Sequence, residues 1–123
     1  MKKTLLTGLS VFIYSLSLHA GKADITNVEV DCNQELRCDF DVTVKHADAG
    51  WKHYANRWEV LSTEGEILAT RTLAHPHDNE QPFTRSLRAV PLPQGTKTVI
   101  IRAHDLVHGF GGETITIDID SQR

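Results

Sequence analysis

The sequence contains very little sulfur. Its 123 residues include one methionine and two cysteines. Because Met1 is the only thioether, a methionine site for Cu(I) is not expected. Cys32 and Cys38 are separated by five residues, and in an oxidising compartment such a pair is expected to form a disulfide. A thiolate metal site is the less favoured alternative for this pair.

The motifs of several common catalytic sites are also absent. The sequence contains no GxSxG nucleophile elbow, no glycine-rich phosphate loop and no HExxH zinc-hydrolase pattern. Histidine and aspartate together could act as acid and base, but no nucleophile stands out beside them. We therefore expect a protein that is not an enzyme.

The N-terminus has the features of a secretory signal peptide. A positively charged start precedes an apolar run at 5–18, and small residues follow that run. Cleavage after Ala20 and cleavage after Ala23 both fit, and the second position has small residues at −1 and −3. We predict a signal peptide at 1–23, a single domain at 24–123 and a periplasmic or secreted protein.

The chain that remains after removal of the signal peptide is acidic. Because three lysines leave with it, the formal net charge falls from −3 to −6. An acidic surface without a basic run does not attract nucleic acid or anionic lipid. No apolar run in this part of the chain is long enough to span a bilayer. We therefore expect neither a nucleic-acid partner nor membrane insertion.

Apolar residues alternate with polar residues along most of the chain. In the stretch RCDFDVTVKH, Cys38, Phe40, Val42 and Val44 fall on one face. This period of two indicates half-buried strands of antiparallel sheets. We predict an all-β fold, an immunoglobulin-like or fibronectin-III-like antiparallel β-sandwich of about seven strands, with Trp58 in the core. The predicted strands are 27–32, 37–46, 54–63, 66–73, 83–90, 97–104 and 113–120.

Strand direction predicts where the ionisable residues meet. Successive antiparallel strands reverse direction, so the connections at 47–53, 74–82 and 105–112 lie at one end of the predicted sandwich, here called the top. All six histidines that follow the signal peptide lie in or next to these connections, and all six are candidate metal ligands. They are His46, His53, His75, His77, His104 and His108.

The spacing of these histidines suggests a shared metal ion. The motif HPH places His75 and His77 on the same side of an extended backbone. The motif HDLVH brings His104 and His108 together if the residues between them form a turn. Imidazole and carboxylate ligands without a thioether fit Cu(II) or Zn(II). The sequence therefore predicts a His/Asp-rich loop site that binds one of these two ions.

Two alternatives to the metal site remain open. The same loops could form a surface that binds a protein or a small ligand without any metal. The side chains could also serve only to hold the loops together, with Asp48 and Asp105 accepting hydrogen bonds from imidazole N–H groups. Both aspartates are therefore candidates for ligand binding and for a structural role.

Three more candidate ligand-binding residues have structural alternatives of their own. Trp51 could be a ligand platform, although a tryptophan at this position more often caps the end of the core. Arg85 could bind a carboxylate ligand or pair with Glu80 or Asp78, and an exposed pair of this kind contributes less than about 1 kcal/mol. Phe110 could lie at the tip of a binding loop, but we favour a tight turn at GFGG.

Three stretches of the chain resemble a group of small exported bacterial proteins without an assigned function. These stretches are HADAGWKHYANRWEV, LAHPHDNEQPFTRSL and RAHDLVHGFGG. The resemblance covers most of the chain that follows the signal peptide. It implies export and a single small domain, and it carries no activity to this chain.

Overall fold

Seven β-strands form the domain. The computed structural model describes residues 21–120, and the predicted signal peptide falls mostly outside this range. No helix within the described range is long and apolar enough to cross a membrane. The strands are β1 (Asp24–Cys32), β2 (Arg37–Lys45), β3 (Ala55–Leu61), β4 (Ile67–Thr72), β5 (Phe83–Pro91), β6 (Thr98–Asp105) and β7 (Ile115–Asp118).

The strands form two antiparallel sheets. One sheet has the order β1-β2-β5, and the other has the order β4-β3-β6-β7. The predicted all-β antiparallel sandwich of about seven strands is thereby confirmed. Because neighbouring strands are antiparallel throughout both sheets, the strand directions are those that place the histidine-bearing connections at one end.

Alternate residues from both sheets fill the core. On β2, Phe40, Val42 and Val44 are fully buried, as the alternation of the sequence predicts. Trp58 on β3 is also fully buried, which confirms its predicted position in the core. Burial of each large apolar side chain contributes about 1.5–3 kcal/mol relative to leaving it exposed. This apolar interior keeps the strand ends in place and so positions the polar loops above them.

A disulfide closes the hairpin between β1 and β2 at the bottom of the sandwich. Cys32 and Cys38 are bonded to each other, as predicted, and are register partners on the two strands. In the turn between them, the side-chain oxygen of Asn33 accepts hydrogen bonds from the backbone amides of Glu35 (3.0 Å) and Arg37 (2.9 Å). The disulfide and these hydrogen bonds together fix the end of the domain that lies opposite the histidines.

The domain also holds the residues that precede β1. Ala23 is only 1% exposed and belongs to the core. Gly112 lies directly against its backbone, since a Cβ atom at position 112 would overlap the Ala23 carbonyl oxygen. Because β1 runs from the top of the sandwich to the bottom, residues 21–23 lie at the top, beside the histidine-bearing connections.

Candidate functional site

Three connections and the start of β1 meet at the top of the sandwich. Each connection joins strands that end or begin there, as the alternation of strand direction requires. The predicted His/Asp-rich loop site is therefore present in the structure. The segments that form it are 21–23, 46–54, 73–82 and 106–114.

One group of side chains at this end is close enough to share a metal ion. His46, His53 and Asp105 each place a nitrogen or oxygen atom within 4.8 Å of the others. The side chain of His108 and the backbone carbonyl of Gly21 contact the same group. We call these five residues the His/Asp cluster.

Asp105 lies at the end of β6, and its side chain is completely buried. Its Oδ1 atom accepts hydrogen bonds from the backbone amides of Val107 (2.9 Å) and His108 (2.7 Å), which holds the following turn. Its Oδ2 atom has no hydrogen-bond partner among the described residues. Burial alone would raise the pKa of this carboxyl, but the amide hydrogen bonds and the nearby histidines together outweigh burial, and the pKa lies below its ordinary value.

His46 is held by hydrogen bonds at both ring nitrogens, and its side chain is completely buried. Its Nδ1–H donates to Asp48 Oδ1 at 2.5 Å. Its Nε2 lies 3.0 Å from the carbonyl oxygen of Gly21 and 3.9 Å from Asp105 Oδ2. Both ring nitrogens therefore face oxygen atoms.

His53 and His108 close the more exposed side of the His/Asp cluster. The Nε2 atom of His53 lies 3.4 Å from Asp105 Oδ1 and 3.3 Å from the Gly21 carbonyl oxygen. The Nδ1 atom of His108 lies 3.2 Å from Asp105 Oδ1, and its ring centre is 5.0 Å from that of His53. These two side chains are 25% and 35% exposed, so an ion or a small molecule can reach the cluster past them.

The spacing of the cluster is close to that of a metal site. Bonds from zinc to nitrogen or oxygen are about 2.0–2.2 Å long, so two ligands of a tetrahedral site lie roughly 3.3–3.5 Å apart. The separation of 3.4 Å between His53 Nε2 and Asp105 Oδ1 has this value. The separation of 3.9 Å between His46 Nε2 and Asp105 Oδ2 is slightly longer. These two separations involve different oxygens of Asp105, and the three ligand atoms lie within 4.8 Å of one another, so the side chains would have to move closer together to surround one ion.

His75 and His77 form a separate pair at the same end of the sandwich. Their ring centres are 4.6 Å apart, but the ring of His77 stacks on Phe83 at 3.9 Å. The Nη2–H of Arg85 donates to His77 Nε2 at 2.9 Å, and Arg85 also lies 3.4 Å from Glu80. Burial, together with the charge of Arg85, lowers the pKa of His77. The motif HPH thus packs a loop onto the sheet, with His77 buried and His75 exposed.

His104 also lies outside the His/Asp cluster. Its Nδ1 atom lies 2.6 Å from the Asn56 side-chain oxygen and 3.2 Å from Arg57 Nη1. Burial, together with the charge of Arg57, lowers its pKa. The ring of Phe110 packs against His104 at 4.8 Å, and the Arg102 guanidinium lies 3.6 Å from the Phe110 ring centre. Phe110 therefore lies against the sheet and not at the tip of a protruding loop.

Trp51 does not cap the core. Its side chain is 66% exposed and makes an edge contact with Tyr54 at 5.7 Å. It borders an open groove of about 610 Å³. Gly50 and residues 75–80 form the rest of this groove.

The chain is similar to a protein named "Putative lipoprotein" from Halomicrobium mukohataei. The two sequences are 36% identical over 100 residues, which is 81% of this chain and 49% of that protein. This chain therefore spans about half the length of its relative, whose name states no activity. No protein-family model matches the chain, and no solved structure matches it.

This similarity confirms the predicted resemblance to exported proteins without an assigned activity. The Cys32–Cys38 disulfide agrees with it, because such bonds persist in oxidising compartments outside the cytoplasm. Both findings indicate an exported protein.

Gly21 is the member of the His/Asp cluster that sequence reasoning missed. It lies within the predicted signal peptide, and its contribution is a backbone carbonyl, which has no signature in a sequence. The directions of the strands nevertheless indicate where Gly21 lies. If β2 runs toward the top, then β1 starts there, and the residues that precede β1 must lie among the histidines.

Proposed function

We propose that this exported protein binds one divalent metal ion, Cu(II) or Zn(II), at the His/Asp cluster, in the periplasm or outside the cell. The role is that of a binding protein and not of a catalyst. The observation that carries the proposal is the buried Oδ2 atom of Asp105, which has no hydrogen-bond partner among the described residues although two imidazole nitrogens lie close to its carboxylate.

The buried carboxylate favours a cation. A buried acceptor without a partner costs about 1–3 kcal/mol, and a charged group costs more. A metal ion bound between Asp105, His46 and His53 would remove this cost and would use the imidazole Nε2 lone pairs. The side chain of Asp105 cannot turn away, because its other oxygen holds the turn at Val107 and His108.

Asp48 supports the proposal from outside the His/Asp cluster. It accepts the Nδ1–H of His46 and so directs Nε2 toward Asp105. A carboxylate that orients a histidine in this way is the usual outer partner of a metal-bound imidazole. The same aspartate accepts a hydrogen bond from the backbone amide of His77 at 2.7 Å, which connects the two histidine-bearing loops.

The ligand types narrow the choice of metal. Two imidazole nitrogens and one carboxylate suit Zn(II) and Cu(II), whereas a site for Cu(I) would use sulfur. Both cysteines are joined in the disulfide, and Met1 is the only methionine of the chain. Zn(II) and Cu(II) are therefore the two ions to test.

The test is a metal titration of the tag-free protein. Residues 21–123 are purified without a histidine tag, bound metals are measured by mass spectrometry, and Zn(II) and Cu(II) are then titrated in competition with a chelator of known affinity. We expect one ion per chain. Replacement of His53 by alanine should weaken binding by more than about 100-fold, because even outer partners of a metal-bound histidine change affinity 10–100-fold.

His75→Ala is the matched control for His53→Ala. His75 is an exposed histidine at the same end of the sandwich, and its Nδ1 faces the carbonyl of Pro76. This variant should bind metal as tightly as the unmodified protein. A protein that binds neither ion more tightly than about micromolar would contradict the metal function, since that affinity corresponds to only about 8 kcal/mol. If His53→Ala and His75→Ala lost the same amount of metal affinity, the ion would not bind specifically at the His/Asp cluster.

A metal-free binding surface is the second candidate function. The exposed Trp51 beside the open groove favours it, because exposed aromatic side chains are common at binding sites. Peptides and oligosaccharides can be screened by thermal shift in the presence of a chelator. This function predicts a stabilising ligand whose effect is lost in Trp51→Ala and kept in His53→Ala.

A further inference from the structure

We propose that hydrolysis of the peptide bond between Ala20 and Gly21 completes the metal site, because the α-amino group created on Gly21 becomes a further ligand of the bound ion. This inference rests on the metal function proposed above. It also selects one of the two signal-peptide cleavage positions that the sequence allows.

Gly21 lies in the middle of the His/Asp cluster. Its carbonyl oxygen is 3.0 Å from His46 Nε2 and 3.3 Å from His53 Nε2. Its φ angle is +96°, and a Cβ atom at this position would lie 2.6 Å from Cε1 of His108. The backbone conformation therefore favours glycine, and a side chain at this position would also displace the ring of His108.

The contacts of residues 21–23 favour cleavage after Ala20 over cleavage after Ala23. Ala23 is buried in the core, and its carbonyl group packs against Gly112. Just beyond it, Asp24 Oδ1 accepts a hydrogen bond from the backbone amide of Glu113 at 2.7 Å. Cleavage after Ala23 would remove a buried side chain and the carbonyl that binds two histidines. Cleavage after Ala20 preserves all of these contacts.

The amino nitrogen of Gly21 is within reach of the same metal ion. It is joined to the carbonyl oxygen through three bonds of about 1.46, 1.52 and 1.23 Å, so the two atoms are at most about 3.7 Å apart. That oxygen already lies at hydrogen-bond distance from the Nε2 atoms of His46 and His53. An amine and a carbonyl oxygen of one residue can bind one ion together in a five-membered ring.

Processing changes the chemistry of this nitrogen. In the precursor it is an amide nitrogen, whose lone pair is delocalised into the peptide bond. Hydrolysis consumes one water molecule and leaves a carboxyl group on Ala20 and a free amine on Gly21. At neutral pH this amine is mostly protonated to an ammonium group, and the metal ion displaces that extra proton to bind the nitrogen lone pair. The donor set then comprises the Gly21 amine, the Nε2 atoms of His46 and His53, and the Asp105 carboxylate. Cu(II) and Zn(II) both accept nitrogen and carboxylate ligands of this kind. The processed form of the protein should therefore bind the ion more tightly than the precursor.

The first test identifies the start of the processed chain. The full chain is expressed in a bacterium with its own leader, and the intact mass of the exported protein is measured. We expect the mass of residues 21–123 with one disulfide. A mass that begins at Asp24 would overturn the inference, because that form lacks Gly21.

The second test compares two proteins that differ only at the amino group. One begins at Gly21, and the other carries two serines before Gly21, so that its nitrogen remains an amide. Both are made by cleavage of a removable fusion partner, and their urea unfolding midpoints without metal confirm that both are folded. Zn(II) and Cu(II) are then titrated into each, and Cu(II) complexes are compared by electron paramagnetic resonance.

The two proposals fail in different ways. We expect the protein with the serine extension to bind at least about tenfold more weakly, since loss of a ligand should exceed the smallest effect of an outer partner. The Cu(II) spectrum should also report one nitrogen ligand fewer. Equal affinity and identical spectra would overturn the role of the amine while leaving the metal function intact. Absence of binding in both proteins would overturn both proposals.

Discussion

The replacement of Asp48 by asparagine should destabilise the fold, because this one carboxylate connects three segments at the top of the sandwich. Its Oδ1 accepts hydrogen bonds from His46 Nδ1 (2.5 Å) and from the backbone amide of Ala55 (3.0 Å), and its Oδ2 accepts one from the backbone amide of His77 (2.7 Å). The side chain of Asp48 is completely buried. Water therefore cannot replace any of these partners.

Asparagine has the same shape but only one acceptor oxygen. If that oxygen faces His46 and Ala55, then the NH₂ group points at the amide N–H of His77. If the side chain flips, two donors lose their acceptor. The first orientation destabilises the fold less. It still leaves the buried backbone amide of His77 without an acceptor and replaces a charged hydrogen bond to His46 by a neutral one. The expected loss of unfolding free energy is about 2–4 kcal/mol.

Urea unfolding in the presence of a chelator measures this loss without any contribution from metal. A loss of about 2–4 kcal/mol corresponds to a midpoint lower by roughly 1–3 M urea at the slopes typical of a small domain. Asp78→Asn is the matched control, since Asp78 is exposed and accepts one hydrogen bond of 3.3 Å from Gly50. The control should change stability by less than about 0.5 kcal/mol. A midpoint for Asp48→Asn within error of the control would refute the reasoning.

Two further predictions concern parts of the fold away from the top. Replacing Cys32 and Cys38 by serine should lower the unfolding free energy by about 2–3 kcal/mol, measured by urea unfolding under non-reducing conditions, and no change would contradict a stabilising disulfide. Burial would raise the pKa of Glu59, but hydrogen bonds from Arg57 and Arg102 outweigh burial and lower the pKa below the ordinary value of 4.5. Its ionised form therefore stabilises the fold above pH 4.5, and this contribution is lost as the pH falls toward the lowered pKa. Unfolding midpoints between pH 3 and pH 6 should decline less steeply in Glu59→Gln than in the unmodified protein, and parallel profiles would show that Glu59 does not carry the effect.

The fold could be predicted because its determinants are local in the sequence. Phe40, Val42 and Val44 alternate with polar residues, and that period of two both indicates a strand and names its buried face. The disulfide could be predicted because Cys32 and Cys38 flank a short turn. The strand directions then follow from the number of reversals, which places the histidines at one end.

The membership of the candidate site could be predicted only in part. The sequence predicts the end of the sandwich at which the site lies. Four of the predicted residues also belong to the His/Asp cluster, namely His46, His53, His108 and Asp105. The motif HPH predicts His77 as a metal ligand beside His75, because side chains two positions apart point the same way in extended backbone. The ring of His77 instead stacks on Phe83, and this contact depends on where β5 re-enters the sheet.

The sequence by itself determined the strands, their alternating faces, the disulfide and the end of the molecule at which ionisable side chains collect. All of these depend on periodicity and on the count of chain reversals, which are properties of neighbouring residues. The tertiary structure alone decided which of six histidines converge, because ring orientation depends on packing and hydrogen bonds between distant segments. It also brought the backbone of Gly21 into contact with His46 and His53, residues that lie 25 and 32 positions away in the chain.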